Sequence, residues 1–149
     1  ISMRAAEGEK LAVDLLQCRQ AILAWVSEIE KRAPLVVTEW KARLEERMRE
    51  LLGDAHILDE NRMANEVAFF TDRASIAEEI TRLQSHLAQL EQMLKSNAVA
   101  GRKLDFLVQE MNREINTIGS KANDLEISRL VIQVKGELEK IREQVQNIE

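Results

Sequence analysis

Apolar residues recur at alternating spacings of four and three residues along most of this chain, and this rhythm restricts its fold more than any other feature. Such spacing places the apolar residues on one stripe of an α-helix, which packs against a neighbouring helix. Three segments carry a complete stripe, formed by Leu11, Leu15, Cys18, Ile22, Trp25 and Ile29, by Ile76, Ile80, Leu83, Leu87, Leu90 and Leu94, and by Ile127, Val131, Val134, Leu138, Ile141, Val145 and Ile148.

The amino-acid composition favours the same fold class. Aromatic residues make up only 3% of the chain, Tyr is absent and Pro occurs once. Strands draw on aromatic and β-branched residues and need frequent turns, so a β-rich fold is disfavoured. We therefore predict an all-α protein that consists of a long helical hairpin and a helical bundle with coiled-coil-like heptad packing.

Residues 1–53 are predicted to form the hairpin arm. Pro34 cannot continue a helix without disrupting it, but it is well suited to begin one, so it marks the expected bend. Trp25 and Trp40 flank this bend and are expected to pack against each other near the tip of the hairpin.

Residues 54–149 are predicted to form the bundle, which begins within a linker at residues 53–58. Ser75 and Glu78 have the spacing of a capping box, which predicts a helix break near Ser75. Asp124 is expected to cap the N-terminus of the last helix.

Charge, cysteine content and hydropathy exclude several classes of protein. The formal net charge of −5 argues against a uniformly basic nucleic-acid binder, so nucleic acid would have to meet a local basic strip. The single cysteine, Cys18, excludes an internal disulfide framework and predicts a cytoplasmic location; within an apolar stripe it is expected to be buried. No apolar run approaches the roughly 20 residues of a bilayer span, and no signal-peptide pattern opens the chain.

The stretch at residues 101–121, GRKLDFLVQEMNREINTIGSK, differs from an ordinary solvated helix. Asn, Thr, Ser and Gly are poor helix formers, yet they are crowded into nine positions of this stretch. They are Asn112, Asn116, Thr117, Gly119 and Ser120. Their cost to helix stability indicates that something other than helix propensity selected them. The alternative is that they satisfy backbone groups in a tight bundle and fix its register.

The string KLDFLVQEMNREINTIGSK at residues 103–121, with EKIREQVQNIE at residues 139–149, resembles the C-terminal half of the YicC-like family of bacterial RNA-cleaving proteins. The similarity continues upstream through NEVAFFTDRASIAEEITRLQSHL at residues 65–87 and covers nearly the whole chain. This resemblance implies an endoribonuclease half that an N-terminal domain normally precedes, and a first residue of Ile1 fits such a fragment. It also implies a hexameric ring in the full-length protein.

Polar side chains border the apolar stripe of residues 76–94. Glu79 and His86 are seven residues apart and share a helix face, and Asp72 joins them if the helix continues through Ser75. Carboxylates with one imidazole suit Mg²⁺ or Mn²⁺ better than a thiolate-rich zinc site does. The alternative is that these carboxylates pair with Lys or Arg of a neighbouring helix.

Phosphodiester cleavage needs a positively charged group in contact with the phosphate and a group that activates the attacking oxygen. The candidate catalytic residues are His86, Glu79 and Glu114, and the candidate metal ligands are Asp72, Glu79, Glu110 and Glu114. The candidate RNA-binding residues are Arg102, Lys103, Gln109, Asn112, Arg113, Asn116 and Lys121. Because the 2′-hydroxyl of RNA can be the nucleophile, His86 could also serve as base or acid without a metal, and both mechanisms stay open.

A connection of about five residues joins the helix that carries His86 to the motif helix, which predicts that the two are antiparallel neighbours. Counting away from this turn places His86 opposite Glu114 or Asn112. The same counting places Glu79 opposite Lys121.

The favoured function is the C-terminal half of a bacterial endoribonuclease that binds and cleaves RNA, assisted by manganese or magnesium. The expected partners are RNA, proteins of RNA decay and further copies of the same chain, with no membrane. Two alternatives are a non-catalytic RNA-binding or adaptor module and a helical oligomerisation module. No GxxxxGK[ST], GxSxG, CxxC or HExxH motif supports another enzyme class.

Overall fold

The computed structural model of the chain describes residues 2–52, 60–96 and 101–147. These residues form five α-helices and no strand, which confirms the predicted all-α class. The helices are α1 (Ser2–Leu52), α2 (Glu60–Ala74), α3 (Ala77–Lys95), α4 (Gly101–Ala122) and α5 (Leu125–Gln146). The predicted linker at residues 53–58 and most of the connection between α3 and α4 lie outside the described residues.

Four of the helices enclose one core. The part of α1 from Leu11 to Val36 packs against α3 and α5, and α4 contacts the same two helices from the opposite side. The predicted stripes on α3 and α5 are buried throughout their described length. The core therefore joins residues on both sides of the predicted boundary at residue 53, although coiled-coil packing itself stays a prediction. None of the described helices has the length and apolar character needed to cross a bilayer.

The bend predicted at Pro34 is wrong, because α1 passes through this residue as one helix. A proline inside a helix removes one hydrogen bond and costs about 3 kcal/mol. Apolar contacts on both sides oppose that cost, since Ile29 and Val36 are both buried in the core. Pro34 itself is exposed, so its ring meets solvent rather than a packed neighbour.

The helical arm is formed by the C-terminal end of α1 and by α2. Trp40 stacks on Phe70 of α2 with the ring centroids 4.1 Å apart, which corrects the predicted contact between Trp40 and Trp25. In one continuous helix, residues 15 positions apart are separated by about 22 Å, so the two tryptophans cannot meet. Trp25 is instead half-buried against the bundle core.

Cys18 is buried in the core, as predicted, and is 8% exposed. Burial first of all, and then a hydrogen bond with Glu137, raise the pKa of the Cys18 thiol to about 11. The thiol is therefore protonated at neutral pH, which makes a nucleophilic role unfavourable.

The chain breaks between α2 and α3 where predicted, but not through the predicted capping box. Ile76 occupies the N-cap position of α3 and makes no side-chain capping bond. Its side chain is 2% exposed, so burial of Ile76 rather than capping by Ser75 positions the start of α3.

Asp124 caps α5, as predicted, and also fastens α1 to the turn between α4 and α5. One carboxylate oxygen accepts the backbone N–H of Ile127 at 3.1 Å. Arg32 of α1 donates to the two carboxylate oxygens at 3.1 and 3.0 Å. The hydrogen bond from Arg32 is the largest influence on the pKa of Asp124 and holds it below its ordinary value, despite the opposing effect of burial.

We expect Asp124→Ala to destabilise the bundle by about 1–2 kcal/mol through the lost cap. The lost bonds to Arg32 add less, because Arg32 keeps its two hydrogen bonds to Glu39. Because the pKa of Asp124 is lowered in the folded state, its contribution is fully present above pH ~4 and is lost as pH falls through the folded pKa. Urea unfolding at pH 7 and pH 3 measures both effects. Glu28→Ala, on the exposed side of α1, is the control; an equal loss of stability in the two variants at pH 7 would contradict this role.

Candidate functional site

Helices α3 and α4 pair as the sequence predicted. Lys121 Nζ donates to Glu79 Oε1 at 2.6 Å, which confirms the expected meeting of these two residues. At the other end of the pairing, His86 lies beside Glu114, which is also as expected. Apolar residues of both helices point into the core, so the polar residues at the edges of the two stripes are brought face to face.

His86, Glu110 and Glu114 form the candidate centre, a name we keep for these three residues. Each offers one nitrogen or oxygen atom, and these three atoms lie within 4.8 Å of one another. Mg²⁺ and Mn²⁺ bind oxygen ligands at about 2.1 Å, and octahedral geometry then places neighbouring ligands about 3 Å apart and opposite ones about 4 Å apart. The separation of up to 4.8 Å is larger than these distances, so the three side chains would have to move closer together to share one small divalent cation.

Burial distinguishes this centre from an exposed acidic cluster. Glu114 is only 6% exposed. His86 Nδ1 is buried and has no hydrogen-bond partner among the described residues. A buried polar atom without a partner is unfavourable by about 1–3 kcal/mol, so a ligand that bonds to this nitrogen would remove that cost.

A network of ion pairs extends from the candidate centre toward the start of α3. Arg82 Nε donates to Glu114 Oε1 at 2.9 Å, and Arg82 Nη2 lies 3.7 Å from Glu79 Oε1. Glu79 is 3% exposed and also accepts from Lys121. Burial is the largest influence on Glu79 and raises its pKa, but hydrogen bonds and the charges of Lys121 and Arg82 outweigh it, so the pKa is lowered. The hydrogen bond to Glu114 is the largest cause of a raised pKa for Arg82.

The other predicted metal ligands lie apart from the candidate centre. Glu79 belongs to the neighbouring ion-pair network, in agreement with the alternative that such carboxylates pair with cations. Asp72 is exposed on α2, before the break that separates α2 from α3, so it does not continue the line of Glu79 and His86. The prediction for Asp72 required a helix that continues through Ser75, and the helix does not continue there.

A groove of about 560 Å³ follows the outer side of α4 next to α5. Four of the seven predicted RNA-binding residues line it, namely Gln109, Asn112, Arg113 and Asn116. The remaining lining residues are Val108, Thr117 and Arg142. Among the described residues, the side chains of Asn112 and Asn116 make no hydrogen bond to the protein. Thr117 Oγ1 donates to the backbone carbonyl of Arg113 at 3.0 Å, so the alternative of satisfied backbone groups applies to Thr117 but not to the two asparagines.

The predicted cations are distributed over more than one surface. Arg113 lines the groove, where Glu110 is a distant partner at 3.9 Å. Lys121 pairs with Glu79 instead, and Arg102 and Lys103 are exposed in the first turn of α4. Sequence reasoning missed Arg142, which α5 brings to the groove; the antiparallel pairing of α4 and α5 could have indicated it.

The chain is similar to two proteins named "Probable endoribonuclease YicC". It is 52% identical over 147 residues to the protein of Clostridioides difficile (strain 630), covering 99% of this chain and 50% of that protein. It is 37% identical over 150 residues to the protein of Haemophilus influenzae (strain ATCC 51907 / DSM 11121 / KW20 / Rd), covering 100% of this chain and 51% of that protein. The chain thus spans about half the length of these relatives.

Residues 29–149 match the family described as "Endoribonuclease YicC-like, C-terminal". The matched region contains the candidate centre, the ion-pair network around Arg82 and the whole groove on α4. This chain therefore belongs to the YicC-like endoribonuclease family.

Proposed function

We propose that this chain binds RNA along the groove on α4 and cleaves its phosphodiester backbone at the candidate centre, as the C-terminal half of an endoribonuclease. The observation that carries the proposal is the convergence of His86, Glu110 and Glu114 within 4.8 Å in a family of endoribonucleases. The groove lies on the α5 side of α4 and the candidate centre on its α3 side, so the proposal requires RNA that passes around α4 to reach both.

The groove has the chemistry of a nucleic-acid surface despite the negative net charge of the chain. Asn112 and Asn116 offer both donors and acceptors to nucleotide bases, as amide side chains do in base recognition. Arg113 and Arg142 supply positive charge for phosphates. These two arginines support the proposal of a local basic strip on a chain whose net charge is −5.

The candidate centre suits two ways of cleaving RNA. Glu110, Glu114 and His86 would hold a divalent ion, which supplies charge stabilisation at the phosphate and an activated water. Without a metal, His86 accepts the proton of the 2′-hydroxyl as its oxygen bonds to phosphorus. The bond to the 5′-oxygen then breaks, that oxygen takes up a proton, and a 2′,3′-cyclic phosphate is left on the other fragment.

Manganese or magnesium assistance is the version that we propose, because two carboxylates accompany the imidazole. We expect EDTA to abolish cleavage by the full-length protein and Mn²⁺ or Mg²⁺ to restore it, with hydrolysed rather than cyclic phosphate ends. Mass spectrometry of the RNA fragments identifies the ends. Cleavage that continues in EDTA and produces cyclic phosphates would assign the metal-free mechanism instead.

Arg113→Ala is expected to weaken RNA binding across sequences and to reduce the slope of log K against log salt by about 1, as loss of one phosphate contact does. Fluorescence anisotropy at several salt concentrations measures the slope. Arg129→Ala is the matched control, since Arg129 is exposed on α5 and lies outside the groove. An unchanged affinity and slope would make Arg113 only an ion-pair partner of Glu110.

The proposal includes the partners that the family resemblance implies. These are RNA, proteins of RNA decay and further copies of the chain in a hexamer, in the cytoplasm. Cleavage of a labelled RNA by this chain alone and by the full-length protein tests whether this half is sufficient. RNA binding without cleavage by either protein would favour the adaptor module, and absence of both activities the oligomerisation module.

A further inference from the structure

Arg82 is the cation nearest to the candidate centre, and it has unused hydrogen-bonding capacity. A guanidinium group carries five N–H donors in a planar fork. Among the described residues, only Nε makes a hydrogen bond, to Glu114 Oε1 at 2.9 Å. The distances from Nη1 to Glu78 and from Nη2 to Glu79 are 3.6 and 3.7 Å, which exceed hydrogen-bond length.

Arg82 lies next to the candidate centre, with its Nε on Glu114 and its two terminal nitrogens toward Glu78 and Glu79. Arg82 and His86 are four residues apart on α3, so they are neighbours on one face, about 6 Å apart along the helix axis. Glu114 lies between them in space, because it contacts Arg82 directly and belongs to the candidate centre with His86.

In the contact between Arg82 and Glu114, the carboxylate is buried and the guanidinium is half exposed. The side chain of Glu114 is 7% exposed, whereas that of Arg82 is 49% exposed. The buried carboxylate thus anchors the guanidinium through Nε, and the solvent retains access to the rest of the fork. An arginine that only neutralised a buried carboxylate would gain most from a bidentate contact, in which two parallel N–H groups bind the two oxygens.

We infer that Arg82 exchanges the long contacts of its two terminal nitrogens with Glu78 and Glu79 for the phosphate of the RNA at the cleavage position, while its Nε holds Glu114 in place. The inference rests on the proposed function and adds a substrate-binding residue to it. Guanidinium groups bind phosphate oxygens in a bidentate manner, and positive charge there stabilises the charge that develops during cleavage. The ligand is a phosphodiester of the RNA backbone, so the contact is independent of base sequence.

The test compares Arg82→Ala, Arg82→Lys and Arg129→Ala in the full-length protein. Binding of a 2′-O-methylated oligoribonucleotide in EDTA is measured by anisotropy over a range of salt concentrations, and cleavage of the unmodified RNA is measured in Mn²⁺. Thermal unfolding of every variant accompanies both measurements. Arg82→Lys keeps a positive charge beside Glu114 and Glu79, and therefore separates loss of folding from loss of the fork.

We expect Arg82→Ala to reduce the salt slope by about 1 and to lower kcat/KM for cleavage by about 100-fold. Arg82→Lys is expected to keep most of the salt slope but to lose at least about 10-fold in kcat/KM, because a point charge cannot replace the fork. Arg129→Ala is expected to match the wild-type protein in both measurements.

A wild-type salt slope in Arg82→Ala would overturn the inference, as would full cleavage by Arg82→Lys. If these results accompany a loss of cleavage in His86→Ala, the proposed function stands without Arg82. If the wild-type protein does not cleave RNA, the proposed function fails, and a reduced salt slope in Arg82→Ala still supports the phosphate contact.

Discussion

Replacing His86 with alanine in the full-length protein is expected to slow RNA cleavage by about 10²–10⁴-fold and to leave RNA binding largely in place. The physical reason is that a general acid, general base or metal ligand acts mainly on the transition state. His86 lies in the candidate centre rather than among the residues that line the groove. Single-turnover cleavage of labelled RNA and anisotropy with 2′-O-methylated RNA separate the two effects.

Gln89→Ala is the control for this experiment, since Gln89 is exposed on α3 one turn beyond His86. Wild-type cleavage by His86→Ala would remove His86 from the chemistry and end the proposal for the candidate centre. Loss of RNA binding at an unchanged unfolding temperature would also contradict a role confined to the chemical step.

Lys121→Met is expected to destabilise the bundle by about 2 kcal/mol, because it leaves the Glu79 carboxylate buried without its closest partner. Removing one partner of a fully buried ion pair typically costs about 3–5 kcal/mol. Here the side chain of Lys121 is 40% exposed and water reduces the effect. Urea unfolding at pH 7 measures the change, with Lys135→Met on the exposed side of α5 as the control.

The double variant Glu79→Leu with Lys121→Met is expected to recover most of the lost stability, since it removes the buried charge together with its partner. Recovery supports a structural role for Glu79, as its position outside the candidate centre indicates. A double variant that stays as unstable as Lys121→Met would show that Glu79 contributes through contacts other than this ion pair.

The two experiments assign different roles to neighbouring carboxylates on the α3–α4 interface. Glu114 and Glu79 are both buried, and Arg82 lies near both. Each carboxylate has a cation close by, Arg82 at 2.9 Å from Glu114 and Lys121 at 2.6 Å from Glu79. Of the two, only Glu114 also faces His86 and Glu110. The nearby partners, not the burial, distinguish a candidate reacting group from an ion pair that stabilises the bundle.

Much of the candidate site could be predicted because it depends on one local pairing. Two amphipathic helices joined by a short connection have little choice but to pack side by side in antiparallel orientation. The spacing of their apolar stripes then sets the register, which places His86 beside Glu114 and Glu79 beside Lys121. The role of Arg82 could not be predicted in this way, because an arginine on a charged helix face has no distinctive spacing.

The sequence by itself determined the all-α class, the buried faces of α3, α4 and α5, and the polar residues at their edges, because the 3.6-residue period of a helix is written locally. Only the tertiary structure decided that α1 continues through Pro34 and that Trp40 meets Phe70. Each of these depends on packing between distant segments. Burial of apolar residues on both sides of a proline can outweigh the local free-energy cost of the proline. A contact between residues far apart in the chain cannot be read from the residue spacing of either segment.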